Sequence, residues 1–316
     1  MLVQILLLIL GFILLIKGAE LTVGGASSLA KRYHVPDLAI GLTIVAFGTS
    51  APELVINTFA SYQGLNDIVF GNVIGSNIMN LFVILGIAGL ITPIRVQSTT
   101  VWKEIPFSLL SIFVLMLLAN VILPVQGLIL SRFDGLLLLL FFSAFLFYVY
   151  KQLGKDSALP LSEAKIYSMP KTWIYILLGL AGLTFGGRLV VDNAITIATN
   201  LGMSEKLIGL TIVAVGTSLP ELATSIVAAV KKNIDLAVGN IIGSNIFNIF
   251  LILGMSALVS PIVFDPSFNI DLVVLAAGTL FLFVAMFTGM QKKLDRWEAG
   301  LLVLGYVGYL VYMVGQ

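Results

Sequence analysis

The amino-acid sequence predicts an all-α integral membrane protein with ten transmembrane helices, arranged as two inverted five-helix repeats with broken helices 2 and 7 at the centre. Hydrophobic residues make up 59% of the 316 residues and charged residues 10%, whereas about a quarter of the residues in a soluble domain carry a charge. The chain also contains one block twice, IGLTIVAFGTSAPELVI at 40–56 and IGLTIVAVGTSLPELAT at 208–224. A second block repeats with the same offset of 168 residues, as GNVIGSNIMN at 71–80 and GNIIGSNIFN at 239–248.

The ten predicted helices are apolar runs long enough to cross about 30 Å of hydrocarbon. In chain order they lie at 2–20, 37–60, 68–92, 105–124, 133–150, 172–196, 207–230, 236–260, 270–290 and 297–315. No basic segment precedes the first run, so we interpret it as a membrane span and not as a removable signal peptide. The spans form a first half at 1–150 and a second half at 172–316, joined by a polar linker at 151–171. Because each half has an odd number of spans, the second half must enter the membrane in the opposite orientation.

The basic residues predict which side of the membrane each loop faces. The alternate loops that would share one side contain 13 of the 17 lysines and arginines, namely Lys31, Arg32, Arg95, Lys103, Lys151, Lys155, Lys165, Lys171, Lys231, Lys232, Lys292, Lys293 and Arg296. Cytoplasmic loops carry the excess of lysine and arginine in membrane proteins. We therefore predict a multi-pass protein of the cell membrane with a cytoplasmic linker and both termini extracellular.

Composition argues against several classes of function. A net charge of +1 at pH 7 gives no reason to expect a nucleic-acid partner. The absence of cysteine excludes disulfides and thiolate-bound metals, and one histidine, His34, is too few for a histidine zinc site. The linker is too short to form a folded regulatory domain. We therefore expect a protein surrounded by the lipid bilayer, with no cofactor and no obligate protein partner.

The GTSxPE motif places a glutamate inside each of two apolar segments, Glu53 and Glu221. A charged side chain at the centre of a membrane helix costs about 2.5–3.5 kcal/mol even on lenient insertion scales. Pro52 and Pro220 have no N–H to donate to the carbonyl four residues earlier, so each helix should break and free carbonyl oxygens nearby. Unpaired backbone groups are not tolerated against lipid. Each motif must therefore face protein, water or an ion.

The GNxxGSNxxN motif supplies further oxygen atoms. Ser76 and Asn80 are four residues apart, as are Ser244 and Asn248, so each pair lies on one helical face. Carboxylate, hydroxyl, amide and carbonyl oxygens together suit a hard cation such as calcium, whereas soft metals prefer sulfur or imidazole. The predicted cation ligands are Glu53, Glu221, Thr49, Thr217, Ser50, Ser218, Ala46, Ala214, Ser76, Ser244, Asn80 and Asn248.

Some of these residues also have a purely structural interpretation. Glycine pairs in apolar segments commonly mark packing faces, and serine or asparagine commonly makes interhelical hydrogen bonds. Other acidic residues fall in predicted loops or at helix ends, where we expect solvated or capping roles; they include Asp67, Glu104, Asp134, Glu163, Asp235 and Glu298. The sequence assigns no role to Glu20, Asp192 and Arg188.

Together, GTSAPEL with GNVIGSNIMN and GTSLPEL with GNIIGSNIFN resemble the two α-repeats of the sodium/calcium exchanger family, within the cation/calcium antiporter superfamily. The resemblance covers essentially the whole chain. It implies an antiporter, not an enzyme, that exchanges about three sodium ions for one calcium ion by alternating access. Peripheral helices near 2–33 and 172–199 would then slide past a fixed core.

The resemblance also implies individual roles. Glu53 and Glu221 would bind calcium directly, helped by the backbone oxygens of Thr49 and Thr217. The sodium sites would use the same glutamates, with Asn80 and Asn248 lining the middle. The other sodium ligands would be Ala46, Thr49, Ser50 and Ser76 in one copy, and Ala214, Thr217, Ser218 and Ser244 in the other.

One departure from the family pattern concerns a second cation. Some relatives, and the potassium-dependent branch, carry aspartate at the position of Asn248, so we favour exchange without potassium. Two alternatives stay open at this point. A calcium/proton exchanger of the same superfamily would use the same carboxylates as proton carriers, and a passive cation channel would use similar oxygen rings as a filter.

Overall fold

The computed structural model describes residues 2–120, 128–152, 165–201, 214–289 and 292–315, and these are mostly helical. In the first half the helices are α1 (Leu2–Arg32), α2 (Asp37–Thr49), α3 (Ala51–Tyr62), α4 (Asn66–Ile91), α5 (Thr100–Asn120) and α6 (Arg132–Gln152). In the second half they are α7 (Met169–Asn200), α8 (Ala214–Gly216), α9 (Leu219–Val230), α10 (Ile234–Val259), α11 (Phe268–Ala285) and α12 (Arg296–Gly315). The described residues also contain four strands of two residues each: β1 (Ile94–Arg95), β2 (Ile129–Leu130), β3 (Ile262–Val263) and β4 (Lys293–Leu294).

The helices agree with a multi-pass membrane protein. Within the described residues, seven helices are long and apolar enough to cross a bilayer singly, and the bent pair α2 and α3 is an eighth candidate. Helices α9 and α12 also lie at predicted spans. The start of the predicted span 207–230, the ends of spans 105–124 and 270–290, most of the linker and Glu163 lie outside the described residues. The count of ten spans therefore stays a prediction.

Both GTSxPE motifs coincide with helix breaks. Helices α2 and α3 meet at Ser50 with a bend of 49°. In the second half α8 ends at Gly216 and α9 begins at Leu219, so the break falls on Thr217 and Ser218. Each following helix carries its proline within its first two positions, where a missing N–H costs nothing because no intrahelical acceptor is available there. The predicted breaks at the two prolines are thus present.

Helices α4 and α10 form the centre of the molecule. In an apolar 18-residue stretch of each helix, 72% of the α4 residues and 83% of the α10 residues are buried. The corresponding share for α1 is 22%. Both helices contain a π-helical turn, Met79–Ile84 in α4 and Phe247–Leu253 in α10. Such turns widen a helix locally and are frequent at functional sites. The GNxxGSNxxN motif therefore lies on the two helices that are most shielded from lipid.

Helices α1 and α7 pack against each other at backbone distance. A methyl group built on Gly18 would lie 2.8 Å from the carbonyl oxygen of Gly179, and one on Gly11 would lie 2.9 Å from that of Gly186. A third close approach, at Gly25, reaches the carbonyl of Thr172 at 3.1 Å. Small residues allow this close approach in a lipid environment, where dispersion contacts drive helix association. The two longest helices therefore form one closely packed antiparallel pair.

The short strands join the two halves. β1 pairs antiparallel with β4, with Ile94 opposite Leu294, and β2 pairs antiparallel with β3, with Leu130 opposite Ile262. In each pairing one strand comes from the first half and the other from the second. β1 and β3 occupy corresponding positions 168 residues apart in the two halves. Each half therefore contributes one strand to each of the two strand pairs that connect the halves.

The expected loop or capping roles of the other acidic residues are only partly correct. Asp134 accepts the Ser131 N–H at 2.8 Å, and Glu298 accepts the Asp295 N–H at 2.7 Å, so both cap helices. Asp67 is exposed in the first turn of α4, and Asp235 is bonded to Gln97. The expectation is wrong for Glu104, which is buried in a π-helical turn and accepts a hydrogen bond from the Tyr148 hydroxyl.

Candidate functional site

Glu53 and Glu221 each lie in the first turn of a helix that follows a break. Their side chains are only 2% and 1% exposed, although both belong to membrane-spanning segments. The first N–H groups of a helix have no intrahelical acceptor, and the helix dipole favours negative charge at this end. Each break thus gives its carboxylate a favourable position inside the protein.

One half of the site is closed by hydrogen bonds between the repeats. The Ser50 hydroxyl donates to a Glu221 carboxylate oxygen at 3.0 Å and lies 3.1 Å from the Ser244 hydroxyl. The Thr49 hydroxyl lies 3.2 Å from the side-chain oxygen of Asn240. The serine and threonine of the first motif therefore bond to residues of the second half.

The equivalent groups of the other half do not form this network. The hydroxyls of Ser76 and Ser218 are 2% and 1% exposed, and neither has a hydrogen-bond partner among the described residues. The same is true of one carboxylate oxygen of Glu53, its Oε2 atom. Buried polar groups are normally satisfied, so each exception needs an explanation. The two nearly identical motifs are therefore in different states of pairing.

Four asparagines connect α4 and α10 at the centre. The Asn80 amide nitrogen donates to the Asn245 side-chain oxygen at 3.0 Å, and the Asn248 amide nitrogen donates to that of Asn77 at 2.9 Å. The Asn77 amide nitrogen also donates to the backbone carbonyl of Asn245 at 3.2 Å. Because their nitrogens are held, Asn80 and Asn248 keep their side-chain oxygens unpartnered and buried. The network fixes which end of each amide is available to a ligand.

The result is a set of oxygens without partners. Within the described residues, six buried side-chain oxygens from the predicted ligand set lack hydrogen-bond partners: Glu53 Oε2, Glu221 Oε2, Ser76 Oγ, Ser218 Oγ, Asn80 Oδ1 and Asn248 Oδ1. The set contains two carboxylates and no nitrogen or sulfur ligand. Hard cations take six to eight such oxygens in calcium sites, and the oxygens would otherwise carry the cost of unpaired burial. The chemistry of these atoms fits a sodium or calcium ion.

The remaining predicted ligands lie at the breaks. Ala46 and Thr49 end α2, Thr217 lies between α8 and α9 and is half-buried, and Ala214 lies in α8. The carbonyl of Ala46 is not freed as expected, because it accepts the Ser50 N–H at 3.0 Å. The Thr49 hydroxyl also lies 3.3 Å from this oxygen. An ion bound at the Ala46 carbonyl would therefore replace the contact with the Thr49 hydroxyl.

Sequence reasoning missed the asparagines that hold this arrangement. Asn77 and Asn245 orient the ligand amides, and Asn240 bonds to Thr49 and, through its nitrogen, to the Ser225 hydroxyl at 2.9 Å. The signal was present, because the asparagines of the GN and GSN steps occur in both copies of the motif. The crossing of α4 and α10 that joins them is not visible in the sequence.

The three residues without a predicted role lie at the surface. Lys17 and Glu20 form an exposed ion pair at 2.8 Å, and Arg188 lies 3.7 Å from Asp192 on α7. Exposed pairs of this kind contribute little to stability. None of the three takes part in the buried hydrogen-bond network described above.

Comparison with known proteins identifies the family to which the chain is similar. The sodium/calcium exchanger protein family matches residues 3–151 and 171–315. The chain is 40% identical over 318 residues to CaxA of Alkalimonas amylolytica, which is named as an antiporter, with 98% of each chain covered. It is 34% identical over 349 residues to the sodium/calcium exchanger MaX1 of Methanosarcina acetivorans, again with 98% of each chain covered.

A solved structure shares the whole fold. The sodium-calcium exchanger NCX_Mj, in a crystal soaked with zero Na+ and Ca2+, is 32% identical, and the match covers 98% of both chains with a TM-score of 0.82. A family match to both halves, relatives over the full length and a shared fold lead to one conclusion. This chain belongs to the sodium/calcium exchanger family and is a multi-pass membrane antiporter of the Na+/Ca2+ exchanger type.

Proposed function

We propose that this protein exchanges about three sodium ions for one calcium ion by alternating access, without potassium. The observation that carries the proposal is the group of six buried, unpartnered oxygens contributed by both halves. The ligand residues are Glu53, Glu221, Ser76, Ser218, Asn80 and Asn248, helped by Thr49, Thr217, Ser50, Ser244, Ala46 and Ala214. The relative MaX1 is named a sodium/calcium exchanger, which supports the same ions here.

Charge counting supports the coupling of the two ions. Glu53 and Glu221 together contribute two negative charges when both are ionised. One calcium ion neutralises them, whereas about three sodium ions leave one net positive charge on the loaded site. Both ions need the same two carboxylates, so they exclude each other. An empty site would leave two buried charges uncompensated, which is costly, and only loaded forms should change conformation.

We propose for this function the membrane arrangement predicted from the sequence, with ten spans in two inverted halves. Helices lie at each of the ten predicted positions in the described parts of the chain. The reciprocal pairing of β1 with β4 and of β2 with β3 is what two inverted, interlocked halves would produce. The positive-inside rule places both termini outside the cell and the linker in the cytoplasm.

Helices α1 and α7 are the proposed moving unit. Their close glycine contacts make them a single body. A methyl group on Gly48 would meet the side chain of Leu180, and one on Gly216 would meet that of Val191. Helix α7 therefore contacts both breaks that carry the ion ligands. A shift of α1 and α7 would change the packing next to Glu53 and Glu221.

A calcium/proton exchanger is the second candidate. The relative CaxA is named only as an antiporter, and two buried carboxylates could carry protons. The unpartnered hydroxyl and amide oxygens favour sodium, because a proton carried on a carboxylate does not need them. A passive channel gains no support from a site that one chain completes by itself.

Transport into proteoliposomes separates these functions. Radioactive calcium uptake is measured with sodium, potassium or choline inside, with and without a pH gradient, for the wild type and Glu53→Gln. Uptake that requires internal sodium, is unchanged by potassium and disappears in the variant supports the proposal. Uptake driven by the proton gradient without sodium would indicate the proton exchanger, and uptake independent of any gradient would indicate a channel. The equilibrium calcium gradient should follow the cube of the sodium gradient at zero membrane potential.

A further inference from the structure

A cavity with a mainly apolar lining and a few polar groups adjoins the candidate ion site at Ser76. It has a volume of about 240 Å³ and lies between α4, α11 and α12. Its polar lining consists of Asn72, Ser76, Asp271, Tyr306 and Tyr309. Ser76 belongs to the central site as well, and Asn72 precedes it by four residues, which is about one helical turn of 5.4 Å. The cavity therefore begins at the ion site and extends away from it.

Asp271 is the charged group of this cavity. Its side chain is 7% exposed within the membrane-spanning helix α11, and the Tyr309 hydroxyl donates to its carboxylate at 2.9 Å. No ion pair to Asp271 occurs among the described residues. An ionised carboxylate inside a membrane helix is rarely left without a compensating charge. Asp271 lies in the first turn of α11, where the helix dipole and the Tyr309 hydroxyl stabilise part of this charge. A bound cation would neutralise the rest.

The cavity borders α4, whereas the corresponding face of α10 is covered by described residues. Gly243 packs on Ala46, and Asn240 bonds to Thr49 and Ser225. On α4, no described residue lies within 4 Å of a methyl group built on Gly75, apart from the backbone of its own helix, and the Asn72 amide nitrogen has no partner among the described residues.

The acidic charge is specific to one half. The residue that corresponds to Asp271 at the 168-residue offset is Lys103, which carries the opposite charge. Duplication alone therefore does not account for the carboxylate. Asp271, the tyrosine that bonds to it and the open face of α4 occur together in one place, next to an unpartnered ion ligand.

We propose that this cavity is a vestibule that binds one sodium ion at Asp271, with the Tyr306 hydroxyl as a neighbouring oxygen ligand, before the ion passes to Ser76. The inference rests on the proposed function for the identity of the ion. A single carboxylate matches a monovalent cation, whereas calcium sites combine several acidic or carbonyl ligands. Liquid water occupies about 30 Å³ per molecule, so the cavity can hold a sodium ion with part of its hydration shell.

Equilibrium binding of radioactive sodium to the full-length protein in lipid nanodiscs tests the site directly. The variants are Asp271→Asn, Tyr309→Phe and the double substitution Glu53→Gln with Glu221→Gln. We expect the double variant to retain one sodium site, and we expect that site to disappear when Asp271→Asn is added. Tyr309→Phe should weaken it by a few fold. Asp134→Asn is the matched control, since Asp134 is equally buried but bonds to Ser131 away from the cavity.

Transport gives an independent readout. In proteoliposomes, Asp271→Asn should raise the sodium concentration for half-maximal exchange at least threefold, while calcium–calcium exchange stays unchanged. Sodium binding and half-maximal concentration equal to the wild type in both Asp271→Asn and Tyr309→Phe would overturn the inference, as expected if Asp271 holds a proton. If the wild type lacks sodium-driven calcium uptake but retains Asp271-dependent sodium binding, the proposed function fails and the vestibule stands.

Discussion

The Ser50 hydroxyl lies 3.0 Å from the Glu221 carboxylate, although 171 residues separate the two in the chain. The serine at the first break thus donates a hydrogen bond to the carboxylate at the second break. Ser218, at the equivalent position of the second break, has no such partner in the part of the chain that the structure describes. The two halves of the candidate site therefore differ in their hydrogen bonding in this structure.

Neutralising either buried carboxylate should abolish exchange. Glu53→Gln or Glu221→Gln keeps the size of the side chain and removes its charge. We expect sodium-dependent calcium uptake to fall by at least about 100-fold, since losing one partner of a buried charged interaction costs about 3–5 kcal/mol. Glu20→Gln is the control, because Glu20 pairs with Lys17 at the surface, and it should transport like the wild type. Normal uptake in either site variant would contradict the proposed ligand set.

Asn77 and Asn245 should control calcium affinity without contacting the ion. Asn245→Ala removes the acceptor that holds the Asn80 amide, and Asn77→Ala does the same for Asn248. An unsatisfied buried group costs about 1–3 kcal/mol, or roughly 5- to 150-fold in affinity. We expect both variants to bind calcium more weakly by comparable factors in isothermal titration. Asn120→Ala, which breaks a peripheral amide pair with Asn269, should leave calcium affinity unchanged.

The unequal pairing of the two serines should appear in stability. Ser50→Ala removes a hydrogen bond to a buried carboxylate, which is worth about 1.5–3 kcal/mol. Ser218→Ala removes no hydrogen bond present in this structure. In buffer free of sodium and calcium, thermal unfolding should therefore occur several degrees lower for Ser50→Ala than for Ser218→Ala. Equal melting temperatures would show that the ion-free protein does not favour this state.

The packing of α1 against α7 should tolerate no side chain at Gly18. Any Cβ there would approach the Gly179 carbonyl to 2.8 Å, so Gly18→Leu must separate the helices. Overpacking costs about 1–3 kcal/mol or more, and we expect a lower melting temperature together with loss of exchange. Gly24→Leu on the same helix meets its first neighbour, Tyr167, only at 4.0 Å. Gly24→Leu should leave the melting temperature and the exchange activity close to those of the wild type.

A single added carboxylate should make transport sensitive to potassium. Asn248→Asp places a third negative charge beside Glu53 and Glu221, where an additional monovalent cation could compensate it. We expect wild-type uptake to be the same in potassium and choline, whereas uptake by Asn248→Asp should differ between them at least threefold. Asn269→Asp, outside the site, should show no difference between the two cations.

The repeats and the apolar runs predicted the helices and breaks because both follow from local chemistry. Proline at 52 and 220 cannot continue a helix, and a glutamate in an apolar span needs a function. The links between Asn80 and Asn245 or between Ser50 and Glu221 could not be predicted, because they depend on how distant helices cross. The different pairing of the two halves was also beyond the sequence, since nearly identical motifs cannot encode which of them is closed at one time.

Burial of Glu104 shows the same limit. Its position near the end of an apolar run suggested exposure, but helix α5 begins earlier than the run, at Thr100, and places Glu104 beside Tyr148. Asp271 was not singled out for a similar reason. Its cavity is formed by three helices that are far apart in sequence, and only the fold brings Tyr309 to its carboxylate.

The division of the site between two halves has a consequence for biogenesis. The ribosome adds about 5–20 residues per second, and 168 residues separate Glu53 from Glu221, so Glu53 waits about 10–30 s for its counterpart. The strand that pairs with β1 emerges later still, near the end of the chain. The first half must therefore enter the membrane before Glu221 is present. Until the second half arrives, the Glu53 carboxylate must be neutralised by a proton or a bound cation, or shielded by the insertion machinery.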